Sequence, residues 1–179
     1  MKKTEKLTVI ASAIAGKEMC SCNFSYDDDV LYYYPNAVNE KLLLGQEVRD
    51  FCLDGYTVRK MSQLKKVEIN VDKYSEINRF IGLTNQIKMP EADIASWQTV
   101  FASLKRIDTF VIIENETDGG FYIGEVIKVL KNKVLFKYFD AEGIWEEPIE
   151  ILYSTITSVS WNTCYSNTWK KYFDSVSNI

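Results

Sequence analysis

Not one histidine occurs among the 179 residues. That absence removes the commonest general base near neutral pH, the commonest metal ligand, and both the Ser-His and Cys-His nucleophile pairs. Glycine is sparse at 8 residues, and Gly119-Gly120 stands alone between strand-like runs, so no phosphate-cradling loop is present. Cysteine is limited to Cys20, Cys22, Cys52 and Cys164. Cys20 and Cys22 are too close for a C-x-x-C motif, and on a strand they would share a face, a poor geometry for bridging each other. Unpaired, buried thiols in a reducing cytoplasm are the expectation. A strong basic excess is also missing. Net charge is −4, basic and acidic residues balance over 1–82, and acidic residues prevail over 104–179. Neutralising many phosphates requires the opposite. No apolar segment reaches the length of a membrane span.

What is present is a core. Hydrophobic residues make up 46% and charged residues 26%, a balance that folds. Aromatics are frequent, with 11 Tyr, 9 Phe and 4 Trp against 3 Pro, which leans toward strands. Met1 to Lys6 followed by Leu7 to Ala15 has the outline of a short export signal ending in Ala13-Ile14-Ala15. The apolar run is short and interrupted by Thr8 and Ser12, which favours a strand over 7–13. Further strands are expected over 18–26, 30–34 and 42–53, the last with a break near Gly45, and Asp27-Asp28-Asp29 reads as a solvated hairpin tip rather than a calcium loop. Residues 35–41 read as a loop. Pro90 is placed to open a helix, with Ile94, Trp97, Phe101 and Leu104 as one apolar stripe up to Lys105. About five strands follow from Thr109 to Trp161, and Ser166 to Phe173 closes the chain as a short helix.

The two halves resemble each other. Leu64, Val67 and Ile69 align with Ile156, Val159 and Trp161; Asp54 aligns with Asp140, each opening a turn that contains glycine; Tyr74-Ser75 aligns with Tyr165-Ser166. The expected organisation is a first β-barrel-like module over 1–82, a linker and connecting helix over 83–105, and a second module over 106–179. Tyr122 to Ile127 with Val134 to Asp140 is similar to the bent central strands of Sm-like and SH3-like small barrels, and Gly143 to Val159 resembles the end of WYL-type domains. The resemblance implies a mainly β (α+β) fold of two related small barrels. The Arg-Gly or Lys-Gly of an Sm RNA pocket and the Trp-Tyr-Leu triplet are both absent, so no activity comes with it.

The candidate site follows from aromatics flanked by carboxylates, a combination that attracts cations and basic peptides. Tyr138, Trp145, Glu146, Glu147 and Tyr153 form that set; the competing reading puts the rings in the core. Arg59-Lys60 with Lys65-Lys66 is the only dense basic cluster, read as outward-facing charges that blunt a sheet edge. No catalytic residue, metal site or cofactor is expected. The leading function is a non-catalytic, cytoplasmic binding protein that engages another protein, in an inhibitor- or immunity-type role with a basic target. The two modules are expected to pack together or the chain to pair as a homodimer. The alternative is a nucleic-acid-associated accessory protein of Sm-like fold.

Overall fold

The computed structural model describes residues 1–176. They divide into two compact units, Met1–Pro90 and the remainder from Glu91 onward. Where the sequence predicts a strand, the first unit opens on helix α1 (Lys3–Gly16). Ala11, Ala13 and Ala15 carry the highest helix propensity. The Glu5 carboxylate accepts from the Lys2 amide at 2.9 Å and suits the positive end of the helix. Ile10 and Ala13 form the buried stripe, and Lys17 ends the helix in the left-handed region at φ 50°.

Strands β1 (Cys20–Phe24), β2 (Val30–Val38), β3 (Leu42–Arg49), β4 (Cys52–Leu53), β5 (Tyr56–Lys60) and β6 (Leu64–Ile69) follow. Helix α2 (Lys73–Phe80) and a 3-10 turn, Leu83–Gln86, complete the unit. Asp27 to Asp29 cap the β1–β2 hairpin as expected, whereas residues 35–38 continue β2 instead of forming a loop. The antiparallel order is β6-β1-β2-β3-β5, with β4 folded onto β3. One sheet face gathers Cys20, Cys22, Phe24, Tyr33, Leu43, Leu64 and Val67 with Ile10 and Ala13 of α1. The other gathers Met19, Tyr34, Val48 and Leu83, flanked by Tyr32, Tyr74 and Ile87.

The second unit opens on helix α3 (Trp97–Ile107). It starts seven residues beyond Pro90, because Ser96 is the N-cap and trades hydrogen bonds with Thr99 in a capping box. The apolar stripe is otherwise as read, with Ile94, Trp97, Phe101 and Leu104 all buried. Strands β7 (Val111–Asn115), β8 (Gly120–Val129), β9 (Lys133–Phe139), β10 (Ile149–Leu152) and β11 (Ser158–Trp161) lead to helix α4 (Cys164–Val176). Their order within the unit is β11-β7-β8-β9-β10.

Both units thus place the last strand against the first and meet it in the same register. Ile69 faces Cys20 and Val67 faces Cys22; Trp161 faces Val111 and Val159 faces Ile113. Each second strand carries a bulge against the third, between Pro35 and Ala37 and between Val126 and Lys128. Each leading helix ends on a left-handed residue, Lys17 or Asp108, three positions before the first strand. Each trailing helix is capped around a buried serine: Ser75 with Asp72, Ser166 with Thr163.

The expected closed barrels are corrected to open sheets. Four flat strand spacings would separate β5 from β6 by about 19 Å, while the three-residue link between Lys60 and Leu64 reaches about 14 Å. The first sheet must therefore curl. No ladder joins β5 to β6, because the Gln63 amide bonds back to Lys60 and the Met61 amide to Lys41, which turns the chain off the sheet. In the second unit β10 and β11 are likewise unpaired with each other. A cavity of about 310 Å³ lies there, lined by Ile113, Tyr122, Ile149, Ile151 and Ile156.

Two outcomes follow from the packing. Gly124 sits opposite Tyr138, where a Cβ would stand 2.8 Å from the Tyr138 Cα and collide with the Lys137 carbonyl. Gly124→Ala should lower stability by about 2 kcal/mol or more in chemical unfolding, since backbone cannot yield as a side chain can. Burial, then the Glu18 charge, pushes the Cys20 thiol up to about 12. Burial, then Cys20, raises Cys22 as well. The unfolded chain sheds these protons from about pH 9 while the folded chain keeps them. The stability they contribute is therefore complete below pH ~9 and declines above it. Unfolding free energies measured across that range should show the decline, and Cys20→Ala with Cys22→Ala should flatten it.

Candidate functional site

Trp145 lies in the segment that returns from β9 and bridges to Phe139. The Asp140 carboxylate shapes that return by accepting from the amides of Glu142 at 2.9 Å and Ile144 at 2.8 Å. The Trp145 ring packs against Phe139 at 5.2 Å, Phe173 at 5.1 Å and Phe110 at 5.9 Å. Lys137 Nζ stands 4.8 Å from its centroid, so the chain supplies its own cation to this ring. Glu146 and Glu147 beside it are exposed. Tyr138 precedes Phe139 on β9 and so points to the opposite face, where it meets Tyr122 edge-on at 5.3 Å. Tyr153 stacks on Phe101 at 5.6 Å and donates its hydroxyl to the Leu130 carbonyl at 2.9 Å. The structure thus brings Trp145, Glu146 and Glu147 together and places Tyr138 on the other side of the strand. Trp145 and Tyr153 are occupied with intramolecular packing.

The basic cluster divides differently from the expectation. Lys65 and Lys66 are exposed on β6, which pairs with β1 alone. Arg59, read as an outward charge, is only 6% exposed. Its strand pairs with β3 opposite Leu43, and its face is closed by Phe24 and Tyr26. Arg59 Nε donates to the Tyr33 hydroxyl at 2.8 Å, and a terminal guanidinium nitrogen donates to the Tyr26 hydroxyl at 2.8 Å. The guanidinium also lies 5.2 Å from the Phe24 centroid. Tyr33 donates onward to Glu47 Oε2 at 3.2 Å. Glu47 is 7% exposed, and its second oxygen accepts from Arg49 Nε at 2.8 Å. Burial outweighs the Arg59 charge and holds the Tyr33 phenol well above its ordinary value. A chain of charge-assisted bonds therefore runs from the buried guanidinium to the surface at Arg49.

Arg49 stands at the base of a two-residue hairpin. Arg49 pairs with Cys52 and Val48 with Leu53, leaving Asp50 and Phe51 as the turn. Their φ angles are 47° and 63°. Turns of this kind favour Asn-Gly, because both central residues must be left-handed; a bulky residue there is an outlier. Phe51 is held by Tyr74 of α2. The rings meet at 4.7 Å and the Phe51 amide donates to the Tyr74 hydroxyl at 3.3 Å. Tyr74 in turn meets Tyr32 at 5.5 Å. Phe51 remains 39% exposed. Beside it is an open hollow of about 500 Å³ lined by Tyr32, Val48, Arg49, Asp50 and Tyr74. Sequence reading misses this turn because Asp50-Phe51 lacks the glycine that marks left-handed pairs; residues 42–53 read as a strand broken near Gly45, whereas β3 runs through Gly45 and the break falls at Asp50-Phe51.

Among the described residues no three His, Cys, Asp or Glu side chains are grouped to hold a metal ion, and no helix is long and apolar enough to cross a membrane. No protein-family model matches the chain, and neither the curated proteins nor the solved structures yield a match. Removing the guanidinium is the direct test of the buried network. Arg59→Ala should cost about 2–5 kcal/mol, because it empties a buried site and removes the donor shared by the Tyr26 and Tyr33 hydroxyls. Arg59→Met should cost less, since it keeps the volume. Urea unfolding of the two variants measures the difference.

Proposed function

We propose that the chain consists of two related Sm-like β modules and serves as a non-catalytic protein-binding protein of the inhibitor or immunity type. The duplication is supported by the shared strand order, the shared register of last strand on first, the bulge on each second strand and the serine-centred cap of each trailing helix. A non-catalytic role is supported by the lack of histidine and by thiols at Cys20 and Cys22 whose burial opposes ionisation.

The observation that carries the binding role is Phe51. A large aromatic ring is kept exposed at a turn position where glycine costs less. Backbone strain of this kind persists at sites that use it. Aromatic anchors on a rigid strand pair are also the usual energetic centre of a protein interface. Glu146 and Glu147 beside Trp145 are a separate exposed acidic element of the second unit.

Capture by the tagged full chain from its native lysate, with and without nuclease, tests the reading. Phe51→Gly should keep the protein folded. Relief of the left-handed strain, about 1–2 kcal/mol, offsets loss of the ring pair, about 0.5–1.5 kcal/mol. A partner that survives nuclease and is lost with Phe51→Gly is the expected result. Capture abolished by nuclease would instead establish nucleic-acid association.

A further inference from the structure

We infer that the hollow beside the Asp50-Phe51 turn receives the cationic head of a lysine or arginine side chain from a basic segment of the partner polypeptide. The inference rests on the reading of this hairpin as a protein-binding surface and adds the chemistry of what it binds.

The charge inventory of the turn decides the sign of the ligand. Arg49 is the one cation lining the hollow, and it is already committed: its Nε is 2.8 Å from Glu47 and 4.0 Å from Asp54. Burial by itself would lower the Arg49 pKa, but the two carboxylates, Glu47 first and then Asp54, raise it above its ordinary value and keep the group charged. Asp50 is different. It is exposed at the turn and makes no ion pair or hydrogen bond among the described residues. The uncompensated charge facing the hollow is therefore one carboxylate, set among aromatic rings.

The rings complete the site. Phe51, Tyr74 and Tyr32 form a continuous run with centroid separations of 4.7 and 5.5 Å. Their planes are tilted by 52° and 60°, so successive rings present faces and edges in alternation. An aromatic face attracts a cation through its quadrupole, and the adjacent carboxylate adds a direct partner. Phosphate is disfavoured at the same place, because Asp50 would face it and Arg49, the one cation in the lining, is already paired with Glu47 and Asp54. A purely apolar side chain would find Val48 as its only aliphatic contact in the lining. The volume, about 500 Å³, admits a whole long side chain with its flanking backbone. The strained backbone acquires a reason under this assignment. Glycine would relax the turn and remove the outermost ring.

The test uses the full chain and two synthetic peptides, one rich in arginine and lysine and one with each basic residue replaced by glutamine. Binding is read from backbone amide shifts in NMR titrations at low and physiological salt. The basic peptide should shift the amides of residues 48–53 and Tyr74, and the glutamine peptide should not. Asp50→Asn and Phe51→Gly should each weaken binding by about tenfold. Glu91→Gln removes the same unit of charge from an exposed position outside the hairpin and should leave affinity within about twofold. Equal loss in Glu91→Gln and Asp50→Asn would overturn the inference, since attraction would then come from net charge alone. Shifts of the same amides by a single-stranded oligonucleotide and not by the basic peptide would also overturn it. If partner capture depends on Phe51 while the basic peptide fails to bind, the cation assignment falls and the hairpin stands as a binding surface. If capture is indifferent to Phe51, both fall.

Discussion

A guanidinium buried in an apolar sheet face is the constraint around which the first unit is arranged. An unpaired charge there would be prohibitive, so every group within reach of Arg59 is drawn into satisfying it. Tyr26 follows β1, Tyr33 belongs to β2, Glu47 to β3, and Arg59 itself to β5. One side chain thus links the neighbourhoods of four strands. A slip of one residue in any of them would turn its partner to the opposite face and leave the charge bare. The same network reaches the surface at Arg49 and fixes the base of the hairpin that carries Asp50 and Phe51. The interior charge and the exposed ring are mechanically connected through Glu47.

The second unit reaches a comparable architecture by another route. Its sheet face holds rings where the first holds a polar network: Phe110, Phe139, Trp145, Trp169 and Phe173 interlock at centroid separations of 4.8 to 6.0 Å. Ring packing of this sort is less demanding of register than a hydrogen-bonded charge, because edge-to-face and offset contacts are nearly equivalent. Trp145 belongs to this interior, with Lys137 covering it. The shared backbone plan therefore supports two different interiors, one polar and specific, the other aromatic and tolerant.

Much of the β framework was legible because alternation and turn residues coincide in the sequence, as from Thr109 to Trp161. The failures have physical causes. Leu7 to Ala15 carries four β-branched residues in a short apolar run, and the alanines that make it helical are neutral in any pattern of polarity. Pro90 is a valid helix opener in isolation, yet the Ser96–Thr99 capping box fixes the start of α3 further on. Helix α2 is only eight residues long and presents few apolar groups to the sheet, so it leaves little periodic signal. Of the candidate site, Trp145 with Glu146 and Glu147 was visible as a local cluster. Tyr138 was not separable from them, because side-chain direction on β9 depends on its register. Arg59 reads as an outward charge and Phe51 as part of a strand for one reason: each occupies a place that its residue type ordinarily avoids.

The pairing of first strand with last in each unit has a mechanical corollary. In both ladders the residue that enters the sheet, Cys20 or Val111, sits opposite the residue that leaves it, Ile69 or Trp161. Tension that reaches the ends of these two strands, past the flanking helices, loads those terminal pairs first, and the antiparallel ladder peels one rung at a time instead of shearing as a block. The seam of each sheet thus opens by unzipping, the geometry that needs less force than shear, before the pull reaches the Arg59 network of one unit or the interlocked rings of the other.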